Sequence, residues 1–140
     1  MRGIFPLLSL LFCSFVLTYS QEVEPPIIAK SLKVGAVYEN EDYSIQFVRV
    51  LSDSRCPKNV DCVWPGGVEV ELEVYNALFE ESKTHQISVD HPEVNDKLIV
   101  QINENINLYF HNLKPYPQNS NMEITKDEYY LVFYEKIDLD

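Results

Sequence analysis

The sequence predicts an all-β chain, an antiparallel β-sandwich of about seven strands, with a small closed β-barrel as the alternative architecture. Three observations lead there. Apolar and polar residues alternate with period two along most of the chain, clusters of Pro, Asn, Asp and Gly interrupt that alternation at short intervals, and no stretch carries apolar residues convincingly at helical spacing. A length of 140 residues leaves room for one ordinary domain. Nine Tyr and seven Phe supply the bulk of a folded core, and only four Gly argue against a flexible low-complexity chain. Twenty-two acidic against eleven basic side chains give a net charge of −11. That balance excludes a general nucleic-acid binder, because phosphate contacts rest on Lys and Arg.

Taken in order, residues 1–20 read as a cleaved secretory signal. Met1 and Arg2 start it, an apolar run from Ile4 to Val16 follows, and Thr18-Tyr19-Ser20 precedes a cut before Gln21. The run is too short for a spanning helix, which needs about 20 apolar residues. No later stretch is apolar enough to span either, so no transmembrane segment is expected in the mature chain. Its removal leaves ten basic and twenty-two acidic residues, a charge of −12. Residues 21–30, with Pro25-Pro26, read as an extended leader, and 31–140 as the single β-sandwich domain.

Ser31–Tyr38 reads as the first strand, and Glu39-Asn40-Glu41-Asp42 as a turn. In Tyr43–Leu51 the apolar residues switch face between Phe47 and Val48, which predicts a bulge or burial on both sides. Val68–Tyr75 is the clearest strand, with Val68, Val70, Leu72 and Val74 alternating against Glu69, Glu71 and Glu73. Asn76–Lys83 is the one place for a helical turn. Thr84–Val89 and Lys97–Ile102 are further strands, and Asn103-Glu104-Asn105 is a hairpin turn into Ile106–Leu113. Pro115 and Pro117 end that strand, Asn119–Asp127 is a polar loop, and Glu128–Ile137 closes the fold.

Loss of the signal removes Cys13 and leaves Cys56 and Cys62, for which one intramolecular pairing exists. Export means an oxidising compartment, so a disulfide is expected. A metal site is the rival reading, but two thiols at this spacing lack the tight knuckle and the further Cys ligands of a zinc site.

The stretch Asp53-Ser54-Arg55-Cys56-Pro57, followed by Cys62-Val63-Trp64-Pro65-Gly66, resembles a family of small secreted or lipid-anchored bacterial β domains with a DSRCP…C-x-W-x-G signature. Leu113-Lys114-Pro115-Tyr116-Pro117 and the tyrosine-rich last strand are similar to that family's closing half, so the resemblance covers most of residues 32–137. It implies an exported compartment and a β domain, and it carries over no catalytic residues. Pro65 stands where the family more often has a small residue.

Four constellations remain to weigh. The loop from Asp53 to Gly67 gathers Arg55, the lone Trp64 and the cystine. On one reading Arg55 and Trp64 form a pre-ordered recognition element, since Trp and Arg dominate binding hot spots. On the other, Trp64 plugs the end of the sandwich and Arg55 pairs with Asp53 or Asp61. Glu69, Glu71 and Glu73 project from one face about 7 Å apart. They read as a solvated face in preference to a calcium site, which needs a wrapped loop of oxygens. The acidic loops at 39–42 and at Asp90, Glu93 and Asp96 lack calcium-loop spacing too. His85, His91 and His111 are too scattered for a zinc motif, and no serine or cysteine sits in a nucleophile turn. Tyr109, Tyr116, Tyr129, Tyr130 and Tyr134 are read as ordinary strand residues, about half of them buried, ahead of a binding platform.

The sequence therefore points to an exported, monomeric, non-catalytic binding domain. Arg55, Trp64 and Tyr116 are its expected contact residues, the last on the supposition that the 115–117 turn lies beside the stapled loop. The expected partner is a protein or glycan in the cell envelope or outside the cell; no cofactor, metal or nucleic acid is implied. An inhibitor of extracellular proteases is the alternative, and an envelope hydrolase a more distant one.

Overall fold

The computed structural model describes residues 27–91 and 96–137. The expected signal, Gln21 to Pro26 of the leader, and Glu93 of the acidic loop lie outside them. Eight strands run through the described residues: β1 (Ala29–Lys33), β2 (Val37–Glu39), β3 (Tyr43–Asp53), β4 (Gly67–Asn76), β5 (Glu81–Asp90), β6 (Lys97–Gln101), β7 (Ile106–Lys114) and β8 (Tyr130–Ile137). They form two four-stranded antiparallel sheets, ordered β2-β3-β4-β5 and β1-β8-β7-β6. The sheets do not close on each other, so the fold is a β-sandwich and not a barrel. No helix among the described residues is long and apolar enough to cross a membrane.

The alternation in β4 sets the architecture of its sheet. Val68, Val70, Leu72 and Val74 are all buried, and they meet Ile45, Phe47, Ile87 and Val89 of the flanking strands. From the other sheet Leu108, Phe110, Leu113, Leu131 and Phe133 complete the core. Each fully buried Leu or Phe contributes roughly 1.5–3 kcal/mol relative to exposure. In β3 the face switch is real. The register slips between Phe47 and Arg49 and again between Val50 and Ser52, so Val48 and Leu51 are extra residues opposite β4.

Two expectations need correction. Ser31–Tyr38 is not one strand: the chain breaks at Gly35, whose φ of 80° favours glycine, and passes from one sheet to the other. The amides of Gly35 and Ala36 are satisfied by the carbonyls of Phe47 and Lys33 at 2.6 and 3.0 Å. β1 also begins at Ala29, inside the expected leader. Asn76–Lys83 holds no helical turn either. The Asn76 side chain accepts the amides of Leu78 and Phe79 at 3.0 and 3.4 Å, which folds the chain into a tight hairpin and lets β5 start at Glu81. Asn103 does the same for Asn105 and Ile106 at 2.9 and 2.8 Å, giving the expected β6–β7 hairpin.

Candidate functional site

The loop joining β3 to β4 continues their ladder before it opens. Ser54 donates its amide to the Gly67 carbonyl at 2.9 Å, and Cys56 to the Pro65 carbonyl at 2.7 Å. Gly66 makes this closeness possible: its φ is 71°, and a Cβ there would lie 1.8 Å from the Ser54 carbonyl oxygen. No side chain fits. Between these anchors Cys56 and Cys62 form the expected disulfide, with 6.0 Å between their Cα atoms. The descending limb is tied to the other sheet's connection, with Lys58 and Asn59 donating amides to the carbonyls of Pro117 and Gln118 at 3.1 and 3.0 Å. The supposed proximity of the stapled loop and the 115–117 turn is thus present in the fold.

Arg55 explains why the base of the loop is rigid. Its guanidinium is wholly buried and grips the Asp53 carboxylate twice, Nε to Oδ1 at 2.8 Å and Nη2 to Oδ2 at 2.6 Å. The remaining donors reach across to the second sheet's end, Nη1 to the Leu113 carbonyl at 2.5 Å and Nη2 to the Pro115 carbonyl at 2.9 Å. Its Cζ lies over the Tyr116 ring, 4.7 Å from the ring centre, and the Tyr116 hydroxyl donates to the Cys56 carbonyl at 2.8 Å. The Tyr129 hydroxyl donates to Asp53 at 3.0 Å. Burial alone would raise the Asp53 pKa, but the hydrogen bonds and charge of Arg55 outweigh it and hold the carboxyl below its ordinary value. Burial, reinforced by the Asp53 charge, pushes Tyr129 up to about 12.

Arg55 was expected on the contact surface beside Trp64, and its burial removes it. Four of its five N–H donors are spent on two carbonyls and a carboxylate, and its side chain is out of reach of a partner's surface. Tyr116, half-buried, braces the base through its hydroxyl bond to the Cys56 carbonyl. The pairing with Asp53, one of the two acids proposed, is the one found. For Trp64 two readings were open, and it is the plug that falls. It does not plug the sandwich: 68% of its surface is exposed, and its neighbour Val63 projects wholly into solvent, with Val60 partly so.

Trp64 overhangs one end of the outer face of the β2-β3-β4-β5 sheet. There Ser52, Glu69 and Ser88 stand directly opposite one another on β3, β4 and β5. With Ser54, Asp90 and Trp64 they line an open groove of about 210 Å³. Sequence reasoning assigned Glu69 to a solvated row and did not single out the two serines, since nothing local announces a row assembled across three strands. A larger hollow of about 390 Å³ lies at the opposite end, against Leu78, Phe79 and the 103–105 turn, but the Asn103 side chain there is committed to its own turn.

Of the five tyrosines weighed above, Tyr129 and Tyr134 are buried, Tyr109 and Tyr116 half-buried and Tyr130 exposed. Tyr109 and Tyr134 stack on each other at 5.3 Å on the outer face of the second sheet, leaving Tyr134 only 7% exposed. The Tyr134 hydroxyl and His111 Nδ1 both bond Asp96, at 3.0 and 2.7 Å. Among the described residues no three His, Cys, Asp or Glu side chains are grouped as a metal site. Comparison with protein-family models, curated proteins and solved structures found no match to this chain.

Proposed function

We propose that this is an exported, monomeric, non-catalytic binding domain whose contact surface is the tip of its disulfide-stapled loop. One observation carries the reading: a largely exposed tryptophan sits on a loop whose base is fixed by a cystine and a buried arginine. A large apolar side chain left in water on a rigid mount loses little entropy on binding, and Trp leads the residue types that dominate interfaces. The disulfide is compatible with an oxidising compartment, and the apolar N-terminal run and the DSRCP…C-x-W-x-G resemblance support export across a bacterial membrane, with cleavage near Ser20-Gln21. The partner is a macromolecule of the cell envelope or the surrounding medium.

The test is retention on purified cell envelopes. Wild-type protein is retained and Trp64→Ala is not, both keeping the same circular dichroism spectrum. Equal retention of the two removes the tip from the account. A second reading, an inhibitor of extracellular proteases, is favoured by the full exposure of Val63 on a covalently closed loop. Unchanged activity of serine, cysteine and metalloproteases at micromolar protein would discard it.

A further inference from the structure

We infer that the groove beside Trp64 is a saccharide site, taking an uncharged, hydroxyl-rich oligosaccharide that stacks one sugar ring on the indole and lays its hydroxyls across Ser52, Glu69 and Ser88. This rests on the binding-domain reading above and names its ligand class. A pyranose ring has an apolar C–H face and a rim of hydroxyls, so its recognition needs a flat apolar surface beside a set of small donors and acceptors. The groove has that pairing. Trp64 supplies the surface, serine hydroxyls both donate and accept, and the carboxylates of Glu69 and Asp90 only accept.

The alternatives fit less well on the same residues. An extended peptide binds a sheet by adding a strand to a free edge. Glu69 lies on β4, paired along its length with β3 on one side and β5 on the other, and on the edge strand β5 the Ser88 carbonyl is already taken by Lys97, so the groove offers a peptide no open strand edge at this row. An acidic ligand meets Glu69 and Asp90. The basic side chains of the neighbouring strands are occupied: Arg49 holds Glu71 at 3.0 Å, Lys83 holds Glu81 at 3.0 Å, and Lys97 is bonded to the Ser88 carbonyl. A wholly apolar ligand would cover the polar side chains without bonding them, at a cost of about 1–3 kcal/mol for each one left unpaired. The polar track also continues beyond the groove. Gln86 of β5 stands in the next outward row beside the Arg49–Glu71 pair, about 7 Å along the strands, so the polar surface extends far enough for an oligomer rather than a single sugar.

The experiment follows Trp64 fluorescence in the intact protein, with acrylamide as quencher, during titration with cellohexaose, chitohexaose and mannohexaose. Polygalacturonate serves as the acidic counterpart. The expected result is that a neutral hexasaccharide shifts emission to the blue and shields Trp64, while polygalacturonate does neither. Glu69→Gln, an exposed substitution that leaves the core untouched, weakens that titration about tenfold, the loss of one charge-assisted hydrogen bond. Ser88→Ala weakens it by a smaller factor, and the same hexasaccharide displaces the protein from cell envelopes. The assignment is overturned if no neutral saccharide shields Trp64, if polygalacturonate shields it equally, or if Glu69→Gln binds as wild type does. Envelope retention that depends on Trp64 but resists displacement by every hexasaccharide overturns the saccharide and identifies a protein partner, leaving the binding-domain reading intact. Retention that ignores Trp64 overturns that reading itself.

Discussion

The base and the tip of the 54–66 loop are made from one short stretch of chain and obey opposite rules. At the base, Arg55 is buried with its guanidinium bonded to a carboxylate and two carbonyls, and it joins the ends of both sheets. At the tip, Trp64 and Val63 face water and make no comparable bonds. Trp64 is the residue expected inside on size and apolarity, and Arg55 the one expected outside on charge. The inversion teaches that a buried charge can serve as the mount and an exposed aromatic as the working part. A tip held this firmly need not be ordered again when a partner arrives.

Substitutions that separate the two regions should differ sharply in cost. Arg55→Ala leaves the Asp53 carboxylate with only the Tyr129 hydroxyl and the residue-55 amide as donors and takes the guanidinium from two carbonyls, and removing one partner of a buried pair costs about 3–5 kcal/mol. Urea denaturation should show a loss of that order. Asp53→Asn retains the shape but loses the charge, for a smaller loss of about 2–3 kcal/mol at neutral pH. This variant also tests the sign of the pH effect. Because the Asp53 pKa is lowered in the fold, its contribution is complete above the ordinary value of 3.8 and disappears as pH falls through the folded value. Wild type therefore has an acid limb to its stability curve that Asp53→Asn partly lacks. Replacing Cys56 and Cys62 together by Ser should cost about 2 kcal/mol, since the closed loop is short, without unfolding a base that Arg55 still holds. Trp64→Ala should change stability by less than about 0.5 kcal/mol, as expected for a surface side chain, while abolishing binding.

Much of the fold can be read along the chain because its signals are local. The Val/Glu alternation of β4, the Asn103 hairpin, the face switch in β3 and the Asp53–Arg55 spacing all lie within a few residues of one another. The split at Gly35 escapes because alternation runs on through it, and only the choice of partner strand shows that Lys33 and Val37 belong to different sheets. The turn after Asn76 escapes because its side chain can satisfy the amides of a hairpin as well as those of a helical start. For the site, composition draws attention to the loop but cannot say which of its large side chains turns inward. That depends on carbonyls at Leu113 and Pro115, far along the chain. The row of Ser52, Glu69 and Ser88 depends on strand register, and the register depends on two bulges in β3.

The most direct test of this contrast between base and tip is the fluorescence of Trp64, the chain's only tryptophan. Its emission maximum and acrylamide quenching should be measured on the purified protein without ligand. The account predicts red-shifted emission that acrylamide quenches readily, as for an indole in water, in a protein that remains cooperatively folded. Blue-shifted emission resistant to quenching would contradict it, returning Trp64 to the sandwich as a plug and leaving the loop as a structural staple alone.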